Sequence, residues 1–138
     1  MTQQWDQESK EALIKYRISR SDDALAESRL LADEGYYNTA VSRLYYACFY
    51  ISTALLLKHN IQAQTHAGVK TMISFHFISK GIIPNEIGKT LLFLFERRQS
   101  GDYDDFVMCD KNEADEYRSK AEAYIAFVKT LLSETGQQ

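Results

Sequence analysis

Proline occurs once and glycine six times in 138 residues, so little in this chain interrupts a helix or builds tight turns. No segment alternates apolar and polar residues in the way of a half-buried strand, which excludes a sheet from the expected architecture. Cysteine is also scarce: Cys48 and Cys109 make neither a disulfide framework nor a zinc set. There is no excess of basic charge, with 16 Lys and Arg against 19 Asp and Glu and a net charge of -3, which argues against a broad electrostatic surface for nucleic acid. A local basic patch, or one assembled from two halves of a dimer, is still compatible with that balance. The N-terminus, Met1 to Asp6, has no basic lead and no apolar core, and no apolar run approaches the ~20 residues of a bilayer span. The expected setting is a reduced cytoplasmic interior with no membrane partner. Neither a glycine-rich phosphate loop nor a nucleophile-elbow serine is present, and no cofactor is expected.

What the chain does have is helical periodicity throughout, in one domain spanning 1–138 with a core over about 7–133. Five helices are expected. The first runs over 7–33, with Leu13, Ile14, Ile18, Ala24, Leu25 and Leu31 on one face, and stops at Gly35. The second, over 38–60 and capped by Asn38 or Thr39, is apolar around so much of its circumference that it belongs at the centre. Thr65 caps a third helix over 66–80 that Gly81 ends. Pro84 opens a fourth, which runs to about Ser100 and is closed by Gly101. An acidic loop follows over 101–110, and the last helix covers 111–133. The sum is an all-α bundle of five up-and-down helices with two long antiparallel pairs.

The segment Arg97-Arg98-Gln99-Ser100-Gly101-Asp102-Tyr103 carries the chemistry. Arg98 continues the apolar stripe Ile87, Leu91, Leu94 and Phe95, where an unpaired charge is costly, and Asp102 is the nearest acid to answer it. Arginine is also the side chain best shaped for phosphate. Metal-free RNA cleavage needs such cations together with a base for the 2′-hydroxyl. Arg97 and Arg98 fit the first role, and His66 or Asp102 the second. Asp102 is a poor base beside an arginine, which lowers its pKa. His66 opens a helix, where the dipole favours the neutral imidazole that a base requires. Around Arg43 the second helix gathers Tyr36, Tyr37, Tyr45, Tyr46, Phe49 and Tyr50, a run suited either to packing or to stacking bases. Arg43 itself needs a partner. His59, His66 and His76 have no metal-ligand spacing, and no metal site is expected.

Three blocks then carry a resemblance. The run Asn38-Thr39-Ala40-Val41-Ser42-Arg43-Leu44-Tyr45-Tyr46-Ala47-Cys48-Phe49, the opening Thr65-His66-Ala67-Gly68-Val69, and the closing Arg98 through Asp102-Tyr103 resemble the small single-domain branch of the HEPN superfamily. The resemblance covers about Tyr16 to Leu132. It implies a HEPN-like bundle that forms a homodimer, paired with a minimal nucleotidyltransferase in a toxin–antitoxin-like system. Active HEPN toxins are metal-independent endoribonucleases whose arginine is followed after four to six residues by a histidine, the two motifs facing each other across the dimer. Here the arginine falls on Arg97 or Arg98 and the histidine position on or near Asp102, with Tyr103 closing the motif. No histidine follows Arg98 anywhere in the chain. Three expectations follow. One is a non-catalytic or weakly catalytic dimer in which Arg98, Asp102 and Tyr103, with Arg97, Arg43 and Tyr46, shape a cleft for nucleotide, RNA or a protein partner. Another is an active endoribonuclease in which Arg98 works with His66 as base. A purely structural dimer that restrains a nucleotidyltransferase is a third.

Overall fold

A computed structural model describes residues 6–103 and 109–134, the side chains of 99–103 excepted. The elements are α1 (Gln7–Asp33), α2 (Tyr37–Lys58), α3 (His66–Ile73), α4 (Asn85–Tyr103) and α5 (Lys111–Ser133), with a single π-helical stretch, Ser74–Ile78, prolonging α3. The five-helix, all-helical expectation is met, and α1 and α5 have the expected bounds. Thr65 caps α3 as expected, its side chain accepting from the Gly68 N–H at 2.9 Å. Gly81 follows with φ of 76°, a left-handed conformation that suits glycine at a helix end.

Three local expectations are corrected. α2 starts at Tyr37 behind Tyr36, which caps it without a side-chain hydrogen bond, so neither Asn38 nor Thr39 is the cap. The third helix is α-helical only to Ile73 before it widens into the π stretch. α4 does not stop at Gly101 but carries on through Tyr103, so Asp102 belongs to its last turn. Glycine weakens a helix by only about 1 kcal/mol, which the rest of α4 outweighs. Of the expected acidic loop, residues 104–108 lie outside the described residues, and Asp110 closes it as the N-cap of α5. Its carboxylate accepts from the Glu113 N–H at 2.8 Å while Glu113 accepts from the Asp110 N–H at 3.2 Å, a reciprocal capping box.

α2 is the central helix. It runs antiparallel to α1 over their length, α5 lies along it more extensively than along α4, and α3 and α4 cover the remainder. Among the described residues α2 is the one helix long and apolar enough to cross a membrane, yet most of it is buried among its neighbours, as befits a core helix. The α1 face that meets α2 is not the large apolar stripe expected. Ser21, Ala24 and Ser28 are its fully buried residues, while Ile18 and Leu25 pack at its flanks. Small side chains on α1 face Ala40 and Ala47 of α2, and the hydroxyls of Ser28 and Ser21 donate to those two carbonyls at 2.7 and 2.8 Å. Each carbonyl oxygen has a second lone pair, so the close approach leaves no buried hydroxyl unpaired. On the opposite side Tyr124 of α5 is completely buried, its hydroxyl 2.6 Å from the Ser52 hydroxyl of α2. Lys58 ends α2 by donating to the carbonyls of Leu131, Leu132 and Glu134 at 2.9, 3.2 and 2.7 Å, which satisfies the otherwise orphaned end of α5.

Candidate functional site

The middle of α2, the start of α3 and the last turns of α4 converge on one aromatic cluster. α2 contributes Tyr45, Tyr46 and Phe49, which helical spacing sets on adjoining faces. His66, the first residue of α3, lies flat on Phe49 with ring centroids 4.2 Å apart and planes inclined by 12°. It also lies alongside Tyr45 at 5.8 Å and edge-on to Tyr46 at 5.9 Å. Arg98 reaches in from α4: its Nη2 donates to the Tyr46 hydroxyl at 2.8 Å, and its guanidinium carbon is 5.2 Å from the Tyr46 ring centroid and 5.6 Å from that of Tyr45. Half-burial of this guanidinium is therefore offset by a hydroxyl and by the π-faces of two tyrosines.

Of the residues singled out by sequence, the fold brings together Arg98, His66, Tyr46 and Arg43. Arg43 finds its required partner in Glu27 of α1, its Nε donating to Oε1 at 3.0 Å, and it also sits 5.0 Å from the Tyr46 ring. Arg97 is turned away toward α5, over the Tyr117 ring at 5.6 Å and beside the Cys109 thiol. Arg98 is thus the arginine of the cluster, and Arg97 is not part of it. Asp102 lies one turn after Arg98 in the same helix. The side chains of Asp102 and Tyr103 lie outside the described residues. Of the other histidines, His59 stands edge-on to Phe77 at 5.2 Å and His76 edge-on to Phe75 at 4.9 Å, both remote in role from this cluster. Among the described residues, no three His, Cys, Asp or Glu side chains gather as a metal-ligand set.

Tyr45 belongs to the aromatic run read from the sequence, but its pairing with His66 is not legible there. Its side chain is buried at 1% exposure, and its hydroxyl lies 2.8 Å from His66 Nδ1. Burial pushes the phenol well above its usual range, so the hydroxyl keeps its proton. Among the described residues that hydroxyl pairs with His66 Nδ1, and which atom donates follows the imidazole tautomer. With Tyr45 as donor to Nδ1, the imidazole proton is left on Nε2. Partial burial and the neighbouring Arg98 charge both lower the His66 pKa from 6.5, so the ring is neutral near pH 7. In that tautomer Nε2 is a hydrogen-bond donor.

A pH dependence follows. His59, chiefly through burial, has a lowered pKa as well. Below about pH 6.5 the unfolded chain takes up protons that the native imidazoles resist, so stability is full above that value and is lost as pH falls through it. The melting temperature is expected to fall between pH 7.5 and 5.5, and His66→Asn to flatten the decline in part. A profile equally steep in that variant would contradict a depressed His66.

Comparison with known proteins adds a family context. The model of the HEPN domain matches residues 14–131. A UPF0332 protein of Thermotoga maritima is 31% identical over 125 residues, covering 91% of this chain and 95% of that protein. Two proteins of Methanocaldococcus jannaschii bearing the name “Putative toxin” are each 31% identical, one over 124 residues (88% of this chain and 90% of its own length), the other over 115 residues (83% and 78%).

Proposed function

The chain belongs to the HEPN domain family and is related to proteins named as toxins, and we propose that it is the binding component of a toxin–antitoxin-like HEPN/nucleotidyltransferase pair. In this reading it acts as a cytoplasmic homodimer that holds RNA or nucleotide phosphate and does little or no cleavage. The observation that carries the reading is the Tyr45–His66 hydrogen bond next to Arg98. Guanidinium N–H groups and an imidazole Nε2–H are all donors, well matched to phosphate oxygens. Cleavage at a 2′-hydroxyl also demands an acceptor for its proton, within hydrogen-bond reach or through one water. In this tautomer, and among the described residues, the cluster supplies donors without that acceptor.

A second reading, a metal-independent endoribonuclease with His66 as base, draws support from one observation. His66 stays neutral, shares the Tyr45 and Tyr46 rings with Arg98, and feels its charge. Catalysis would then require the imidazole proton to move to Nδ1 when substrate binds. Incubation with total RNA in the presence of a chelator separates the two. Wild type, Arg98→Ala and His66→Ala are all expected to leave the RNA intact. Chelator-insensitive cleavage by wild type, lost in both variants, would replace the binding reading with the nuclease.

A further inference from the structure

Behind His66 lies a groove of about 890 Å³ between α1, the C-terminal half of α2 and the segment 61–65. Its walls include Arg17 and Arg20 of α1, Phe49 and Tyr50 of α2, His66 and, at the rim, Tyr16. No carboxylate lines it, although acids outnumber bases in the chain as a whole. Arg17 and Arg20 stand one helical turn apart, and among the described residues neither is paired with an acid. Arg17 is half-buried and donates to the Thr53 carbonyl at 3.3 Å, a neutral and long contact. Arg20 donates to the Tyr50 hydroxyl at 3.1 Å and lies 5.0 Å from that ring. Arg17 is half-buried and Arg20 keeps its guanidinium in solvent at the groove edge, and neither faces a counter-charge, an arrangement open to an anion.

We infer that this groove is a second ligand site, for a nucleotide unit whose phosphate lies between Arg17 and Arg20 and whose base stacks on the aromatic rim at Tyr16. The size falls within that of ordinary small-molecule sites. Tyr16 is 57% exposed beside Arg20, so its ring is open to a base. Arginine next to tyrosine is also the pairing that suits phosphate and base together. The inference stands on the charge and shape of the groove and does not require the Arg98 cluster to bind anything. The same chemistry comes from a free nucleotide or from one residue of a single-stranded RNA.

Titration of the full-length protein with AMP, with inorganic phosphate and with a fluorescent ten-nucleotide oligouridylate tests the site. AMP is expected to bind more tightly than phosphate, because only AMP carries a base. Arg17→Gln combined with Arg20→Gln is expected to weaken AMP at least tenfold, and Tyr16→Ala about fivefold, the loss of roughly one stacking contact of about 1 kcal/mol. If the RNA source is correct, the oligouridylate binds at least tenfold more tightly than AMP, and the double variant lowers the slope of affinity against salt by roughly 0.7 for each lost phosphate contact. Equal affinities identify a free nucleotide as the source. Should the double variant fail to fold, Tyr16→Ala and Arg20→Gln alone carry the test, since Tyr16 is exposed and Arg20 bonds only tyrosine hydroxyls. Absence of AMP and oligouridylate binding in wild type would overturn the inference. Binding that survives the groove substitutions but vanishes in Arg98→Ala would also overturn it, while leaving the Arg98 reading intact.

Discussion

Tyr45→Ala is expected to remove about 3–5 kcal/mol of folding stability, the usual cost of deleting a large buried aromatic ring. Tyr45 is almost wholly enclosed, and its ring packs edge-on to Tyr46 at 5.4 Å and at a tilt to Phe95 and Phe49 at 6.1 and 6.0 Å. Those neighbours belong to helices α2 and α4, which cannot close the void independently. Domains of this size hold about 5–15 kcal/mol in total, so the loss is a large fraction of the whole. Thermal melting should drop by on the order of 10–20 °C. Tyr45→Phe keeps the ring and forgoes one hydrogen bond, about 1 kcal/mol, and should melt close to wild type. A melting point for Tyr45→Ala equal to that of Tyr45→Phe would mean that the ring is not the keystone of the α2–α3–α4 junction.

Arg98→Ala is expected to weaken single-stranded RNA binding at the cluster by roughly 10- to 100-fold. Hydrogen bonds from a charged donor contribute about 1.5–3 kcal/mol, and each 1.4 kcal/mol is a factor of ten. Arg98→Lys should fall between, because an ammonium keeps the charge and loses the planar fork. The fold should survive either change. The Tyr46 hydroxyl that loses its 2.8 Å partner is only half-buried and can be hydrated. Fluorescence anisotropy with a labelled oligonucleotide at fixed salt reads the effect, and affinity within twofold of wild type would remove Arg98 from the binding surface.

Much of this architecture was legible because its determinants are local. The bounds of α1 and α5, the Thr65 cap and the glycine after α3 all follow from residues within a turn of one another. The α1–α2 contact was harder. Ser21 and Ser28 read as polar positions, and only the nearby carbonyls of Ala47 and Ala40 turn them into buried ones. Likewise the π-helical stretch has no signal in local propensity, and one glycine is too weak an interruption to mark the end of α4. At the site, the aromatic run and Arg98 were visible in sequence as a charge among hydrophobes in need of partners. The stripe Ile87, Leu91, Leu94 and Phe95 also set Arg98, rather than Arg97, on the inward face, since adjacent residues on a helix differ by 100° in direction. No spacing could link Tyr45 with His66, 21 residues apart and on different helices. Glu27 was equally hidden as the answer to Arg43.

All of the proposed chemistry turns on which nitrogen of His66 carries the proton. Two-bond ¹⁵N–¹H correlation spectra of the imidazole at pH 7.5, assigned through His66→Asn, report this directly. The expected pattern is a neutral ring, protonated at Nε2 and bare at Nδ1, that shifts toward exchange of the two forms in Tyr45→Phe. A wild-type ring protonated at Nδ1 with Nε2 bare would contradict the account, because that nitrogen could then take a proton from a ribose hydroxyl.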